Sequence, residues 1–147
     1  MAHTYTINLQ HIVFSTKCRH DLIDPEWEPE LHAYFIGIAR DKGFRIDCSG
    51  GTENHVHILA NLPATLDISK ALQDLKGNSS HWAGKRGFDF GWQRGYASFS
   101  VSVSSIDRVR SYIANQKQHH AKITFEDELR ELLRRHGIQY DEKYLLD

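Results

Sequence analysis

The chain has 147 residues, 40% hydrophobic and 25% charged, which is the composition and length of one globular domain with its own core, read here as a single domain over 1–147. Eighteen basic against nineteen acidic side chains exclude a uniformly basic nucleic-acid coat, and no apolar run approaches the ~18 residues of a membrane span. Two cysteines, Cys18 and Cys48, make no disulfide framework, and the N-terminus lacks a signal-peptide pattern, so a cytoplasmic protein with free thiols is expected.

Residues 4–14 alternate and then turn apolar, which predicts a first strand. Asp24-Pro25 reads as a helix cap, Leu31, Tyr34, Phe35 and Ile38 follow helical spacing, and Gly43 closes that helix. Residues 44–49 and 54–60 predict an antiparallel strand pair, with Gly50-Gly51 as the turn. Ile68, Leu72, Leu75 and Trp82 share one face of a second helix over 66–83. A glycine-rich loop over 84–95 precedes a fourth strand at 96–103. Ser104 or Ser105 caps a third helix with Ile106, Val109 and Ile113 on one face, and a fourth helix covers 125–136 and ends at Gly137. The order βαββαβ plus C-terminal helices predicts an α+β, ferredoxin-like or RRM-like antiparallel sheet. Two helices would cover one face and leave the other open to a ligand or partner.

Charge is uneven along this order. Residues 1–65 carry a net −3, residues 66–118 a net +4 and residues 119–147 a net −2. The middle third is therefore the stretch suited to a polyanion, although a mixed solvated surface accounts for it too.

In the third strand His55 and His57 point to one face, and Val56, Ile58 and Ala60 to the other. Two imidazoles side by side have the spacing of a metal pair, and equally of two surface histidines. In the third helix Tyr112 and Gln116 lie one turn apart, beside the apolar stripe, so a phenol and an amide oxygen can face the open side of the sheet together. A plain surface pair has the same spacing. His119 and His120 read as cations near a helix C-terminus.

With these blocks in order, the chain resembles a known family. HIVFSTKCRHDLI, NHVHIL, LQDLKGNSSHWAG, WQRGYASFSVS, YIANQKQHH and HGIQYDEKYL are together similar to the bacterial single-tyrosine HUH transposases of the insertion-sequence 200/605 family and its REP-associated relatives. The resemblance implies a metal held by His55, His57 and Gln116, with Tyr112 as the nucleophile. It implies Mg²⁺ or Mn²⁺ as cofactor, and hairpin-bearing single-stranded DNA ends that are cut and rejoined without hydrolysis. It also implies a homodimer, in which Tyr112 of one chain serves the histidines of the other; an arrangement within one chain is the alternative. The metal or a cation such as Lys117 would help the phenol lose its proton. Two imidazoles and one amide oxygen predict weak metal binding without DNA.

Basic residues mixed with aromatics suit single strands, where phosphates pair and bases stack. Lys85, Arg86 and Arg94 flank the glycine-rich loop among Phe88, Phe90, Trp92 and Tyr96, and those rings are equally candidates for loop anchors. Lys17, Arg19, Lys70 and Lys76 are further phosphate candidates. A non-catalytic or domesticated single-strand binder on the same fold would keep the basic middle and need neither Tyr112 nor Gln116. A histidine-rich metal-binding protein would take up metal tightly without DNA.

Overall fold

The computed structural model describes residues 2–145. Four antiparallel strands, β1 (Leu9–Ser15), β2 (Arg45–Gly51), β3 (His55–Asn61) and β4 (Ala97–Val101), stand in the order β2-β3-β1-β4. Helices α1 (Glu28–Lys42) and α2 (Ile68–Lys85) are inserted as the βαββαβ pattern requires, so the ferredoxin-like α+β fold is present.

Side-chain alternation divides the sheet into two faces. Ile12 and Phe14 of β1 and Val56, Ile58 and Ala60 of β3 form the main core with Leu31, Phe35 and Ile38 of α1 and with Leu72 and Leu75 of α2. α1 stops at Gly43, which adopts a left-handed φ of 85° that favours glycine. α2 starts at Asp67, whose carboxylate accepts the backbone N–H of Lys70 at 2.7 Å.

The opposite face is not open. Helix α3 (Ile106–Ala114) lays Ile113 on Leu9 and Leu59, with Ile106 and Val109 alongside. Helix α5 (Phe125–Arg135) packs Phe125, Leu129, Leu132 and Leu133 on Val13 and Phe99. The C-terminal helices bury the apolar residues that the second sheet face presents, and His55 and His57 are buried with them.

Several local expectations are corrected. β1 begins at Leu9, and residues 2–8 lie outside the sheet. Asp24 caps a turn by accepting the Glu26 N–H at 2.8 Å, and α1 starts later, with Pro29 in its first turn. Gly50 and Gly51 belong to β2, and the turn is made by Thr52–Asn54, where the Thr52 N–H donates to the His55 carbonyl at 3.1 Å. Tyr112 and Gln116 do not share one helix. α3 ends at Ala114, Asn115 is non-helical (φ −99°, ψ 17°), and Gln116 opens the short turn α4 (Gln116–His119).

Candidate active site

β3 carries His55 and His57 toward the covered face, both fully buried. The β1–β3 register sets Val13 opposite His57, and His11 reaches across the strands so that its Nε2 lies 2.8 Å from His57 Nδ1. His55 is held from behind, with Nδ1 2.8 Å from Asn54 Oδ1 and 3.0 Å from Thr52 Oγ1. α3 brings in Tyr112, half-buried, its ring 5.6 Å from that of His57 between centroids. α4 brings in Gln116, buried, with Oε1 2.9 Å from His55 Nε2. The four residues singled out in the sequence as nucleophile and metal ligands thus meet within one chain.

The sequence did not single out the residue at their centre, Glu128 of α5. Its carboxylate is buried. Oε1 lies 3.0 Å from His57 Nε2, 2.9 Å from His120 Nε2 and 3.4 Å from His55 Nε2. Oε2 accepts a hydrogen bond from the Tyr112 hydroxyl, and one from the Gln116 amide N–H at 2.9 Å. His119, expected merely to lie near a helix end, has Nε2 3.5 Å from the same oxygen. One signal did point to Glu128: positions 125, 128, 129 and 132 form a single helical stripe, and three of them are apolar.

Burial dominates the electrostatics. It pushes the His57 imidazole down to about 4, opposed in part by Glu128, and the His11 imidazole down to about 3, helped by the neighbouring His57. Burial, and then the bonded Glu128 carboxylate, hold the Tyr112 phenol well above its usual range. The donor set fits a divalent cation. His55 Nδ1 faces the acceptor Asn54 Oδ1 and so carries that ring's proton, which leaves Nε2 with a lone pair directed at the centre.

Beside the phenol runs a cleft of about 520 Å³, lined by His11, Ser100, Ser102, Arg108, Tyr112 and Arg135. Neither arginine was picked out as a phosphate contact in the sequence. The basic residues that were picked out lie elsewhere. Lys70 pairs with Asp74 at 3.3 Å, and Lys76 donates to the carbonyls of Gln93 and Gly95 at 2.6 and 2.9 Å, which fastens the loop. Arg86 pairs with Glu30 at 2.5 Å, and Arg19 with Glu126 at 3.0 Å. Lys85 is exposed at the end of α2, Lys17 is exposed with its backbone N–H donating to the Gly91 carbonyl at 2.9 Å, and Arg94 lines a separate cavity with Tyr96. Phe88, Phe90 and Trp92 pack against the main core around Trp27, so these rings are loop anchors. Lys117 is bound to Glu28 at 2.6 Å and to the Gly51 carbonyl at 3.2 Å, away from the phenol it was expected to assist.

Compared with known proteins, residues 4–116 match the model of the family described as "Transposase IS200 like". The chain belongs to the IS200-like transposase family. Two solved structures share the family's fold. A candidate transposase from Deinococcus radiodurans R1 is 22% identical with a TM-score of 0.62, over 79% of this chain and 96% of that one. A REP-associated tyrosine transposase bound to a REP hairpin is 17% identical with a TM-score of 0.64, over 84% of this chain and 74% of that one. No curated protein matches the chain significantly in sequence. Family membership makes this a DNA-processing transposase at the general level, and among its described residues no helix is long and apolar enough to cross a membrane.

Proposed function

We propose that this IS200-like transposase cuts and rejoins single-stranded DNA through Tyr112, with a divalent cation, Mg²⁺ or Mn²⁺, held by His55, His57 and Gln116. The observation that carries the reading is the junction at Glu128: one buried carboxylate bonds the phenol through Oε2 and His57 through Oε1. A surface tyrosine or a structural histidine pair has no need of that link, and neither has a non-catalytic single-strand binder.

A cation held by His55, His57 and Gln116 would supply Lewis-acid charge withdrawal at the scissile phosphate. The phenol oxygen of Tyr112 forms a bond to phosphorus as the bond from phosphorus to the 3′ oxygen breaks. The products are a 5′-phosphotyrosine and, once the departing oxygen has taken up a proton, a 3′ hydroxyl. Among the described residues, Glu128 Oε2 is the acceptor hydrogen-bonded to the phenol, so the phenol's proton has a place to go. The aryl phosphate ester keeps the strand activated. A second 3′ hydroxyl can attack it, release the phenol and seal a new junction, which hydrolysis would preclude.

The strand would run through the cleft beside Tyr112, where Arg108 and Arg135 pair with phosphates and serine hydroxyls offer further hydrogen bonds. Hairpin-bearing element ends are the substrate in this reading, in keeping with the hairpin held by the structural neighbour. In a homodimer each subunit would carry its own complete site.

The test incubates the protein with labelled single-stranded DNA carrying an element end, with Mg²⁺ or Mn²⁺. A protein–DNA adduct that survives denaturant is expected, and it should be lost on chelation and in Tyr112→Phe. An adduct that persists in Tyr112→Phe removes the phenol from its role.

A further inference from the structure

We infer that His120 and Glu128 are direct ligands of the cation, so that the protein holds a first-row transition ion of the Mn²⁺ or Zn²⁺ class before any DNA arrives. The inference builds on the strand-transfer reading only in taking the histidine pair as a metal site, and it changes both the ligand set and the expected affinity.

His120 Nδ1 lies 2.8 Å from the carbonyl oxygen of Ile123, which can only accept, so the ring's proton sits on Nδ1. His120 Nε2 then turns a lone pair toward Glu128 Oε1, 2.9 Å away, and that oxygen is an acceptor too. His55 repeats the pattern. Its Nδ1 proton is committed to Asn54 Oδ1, and its Nε2 faces two more acceptors, Gln116 Oε1 at 2.9 Å and Glu128 Oε1 at 3.4 Å. The Gln116 amide is oriented by donating its N–H to Glu128 Oε2, which leaves its oxygen turned to the centre. Four acceptor atoms from three elements therefore converge with no donor among them, and this repels unless a positive charge stands between them. The rings of His55 and His120 are themselves packed together, with centroids 4.4 Å apart. A single divalent ion satisfies every lone pair at once.

The spacing agrees. Ligand atoms about 2.1 Å from a common ion stand roughly 3.0 Å apart at a right angle and roughly 3.4 Å apart at a tetrahedral one. The separations here are 2.9, 2.9, 3.0 and 3.4 Å, and one ligand atom from each of His55, His57, His120 and Glu128 lies within 4.8 Å of all the others. Each ring is also braced from behind, by Asn54, His11 and the Ile123 carbonyl, as metal-binding histidines generally are. Three imidazoles with one carboxylate form a nitrogen-rich set that suits a first-row transition ion better than Mg²⁺.

The experiment uses chelator-stripped full-length protein, without DNA, titrated with Mn²⁺ by isothermal calorimetry. One ion per chain should bind, and His120→Gln and Glu128→Gln should each weaken it by about tenfold or more. Equal affinity in wild type and both variants, or no binding to wild type, overturns the inference. Electron spin echo measurements on Mn²⁺-loaded wild type need no variant: three coordinated imidazoles are expected, and two would refute the assignment. In wild type, Mn²⁺ binding without formation of the DNA adduct counts against the strand-transfer reading alone.

Discussion

Acidification should destabilise the metal-free protein well above the range where carboxylates titrate. In the unfolded chain an imidazole takes up its proton near 6.5. In the folded protein burial, helped by the neighbouring His57, pushes His11 down to about 3, so the native state binds fewer protons throughout the interval between. The stability that neutral His11 contributes is complete above pH ~6.5 and drains away as the pH falls, by up to about 1.4 kcal/mol per pH unit. Between pH 6.5 and 5 that amounts to about 2 kcal/mol from His11 alone. His57, fully buried and pushed down to about 4, acts with the same sign. Glu28 does not contribute in this window: burial raises its carboxyl, but His32 and Lys117 outweigh that and leave it low, so its share is lost only below about 4.5. Urea unfolding followed by circular dichroism, with EDTA present, would measure the slope at pH 7.5, 6.5, 5.5 and 5. His11→Phe keeps an aromatic ring beside Phe99 and Tyr112 and removes one titrating group, so its slope should be shallower by up to about 1.4 kcal/mol per unit. A flat wild-type profile, or an unchanged slope in the variant, would refute the claim that these rings are held neutral by burial.

Two further outcomes concern the roof of the site and the path of the strand. Phe125 stacks on His55 at 4.4 Å and anchors α5 to Val13 and Phe99, so Phe125→Ala should cost about 3–5 kcal/mol in denaturant unfolding. A loss below 1 kcal/mol would mean that α5 is not part of the cooperative unit. Arg108→Ala with Arg135→Ala should weaken single-stranded DNA binding and make the slope of log affinity against log salt shallower by roughly 1.4, at ~0.7 per phosphate contact. Fluorescence anisotropy across a salt series checks this, and an unchanged slope places the strand elsewhere.

The sheet was legible because alternation is a local consequence of burial. Val56, Ile58 and Ala60 could only be the helix-covered set once His55 and His57 were taken as the other, and they form the core with α1 and α2. What the second face meets is a tertiary matter. Ile106, Val109 and Ile113 announce an amphipathic helix without naming its partner, so the face read as open is occupied by α3 and α5. Gly50-Gly51 was misread because turn chemistry and close packing use the same residue, and here the pair lies within β2. Glu128 escaped notice because a carboxylate within an apolar stripe looks like the edge of a solvated flank. Its partners, His57, His120 and Tyr112, come from three other elements.

The glycine at position 50 has a mechanical consequence. A β-carbon there would stand 2.9 Å from the carbonyl oxygen of Ile113 and 3.2 Å from its Cγ2, so even alanine would wedge α3 outward by several tenths of an ångström. Ile113 directly follows Tyr112, the proposed nucleophile. The bare backbone of one strand residue thus acts as a shim of minimum thickness, setting how near the Tyr112 phenol may ride to the imidazoles, and the strand transfer proposed for that phenol would be unforgiving of displacements of about 1 Å.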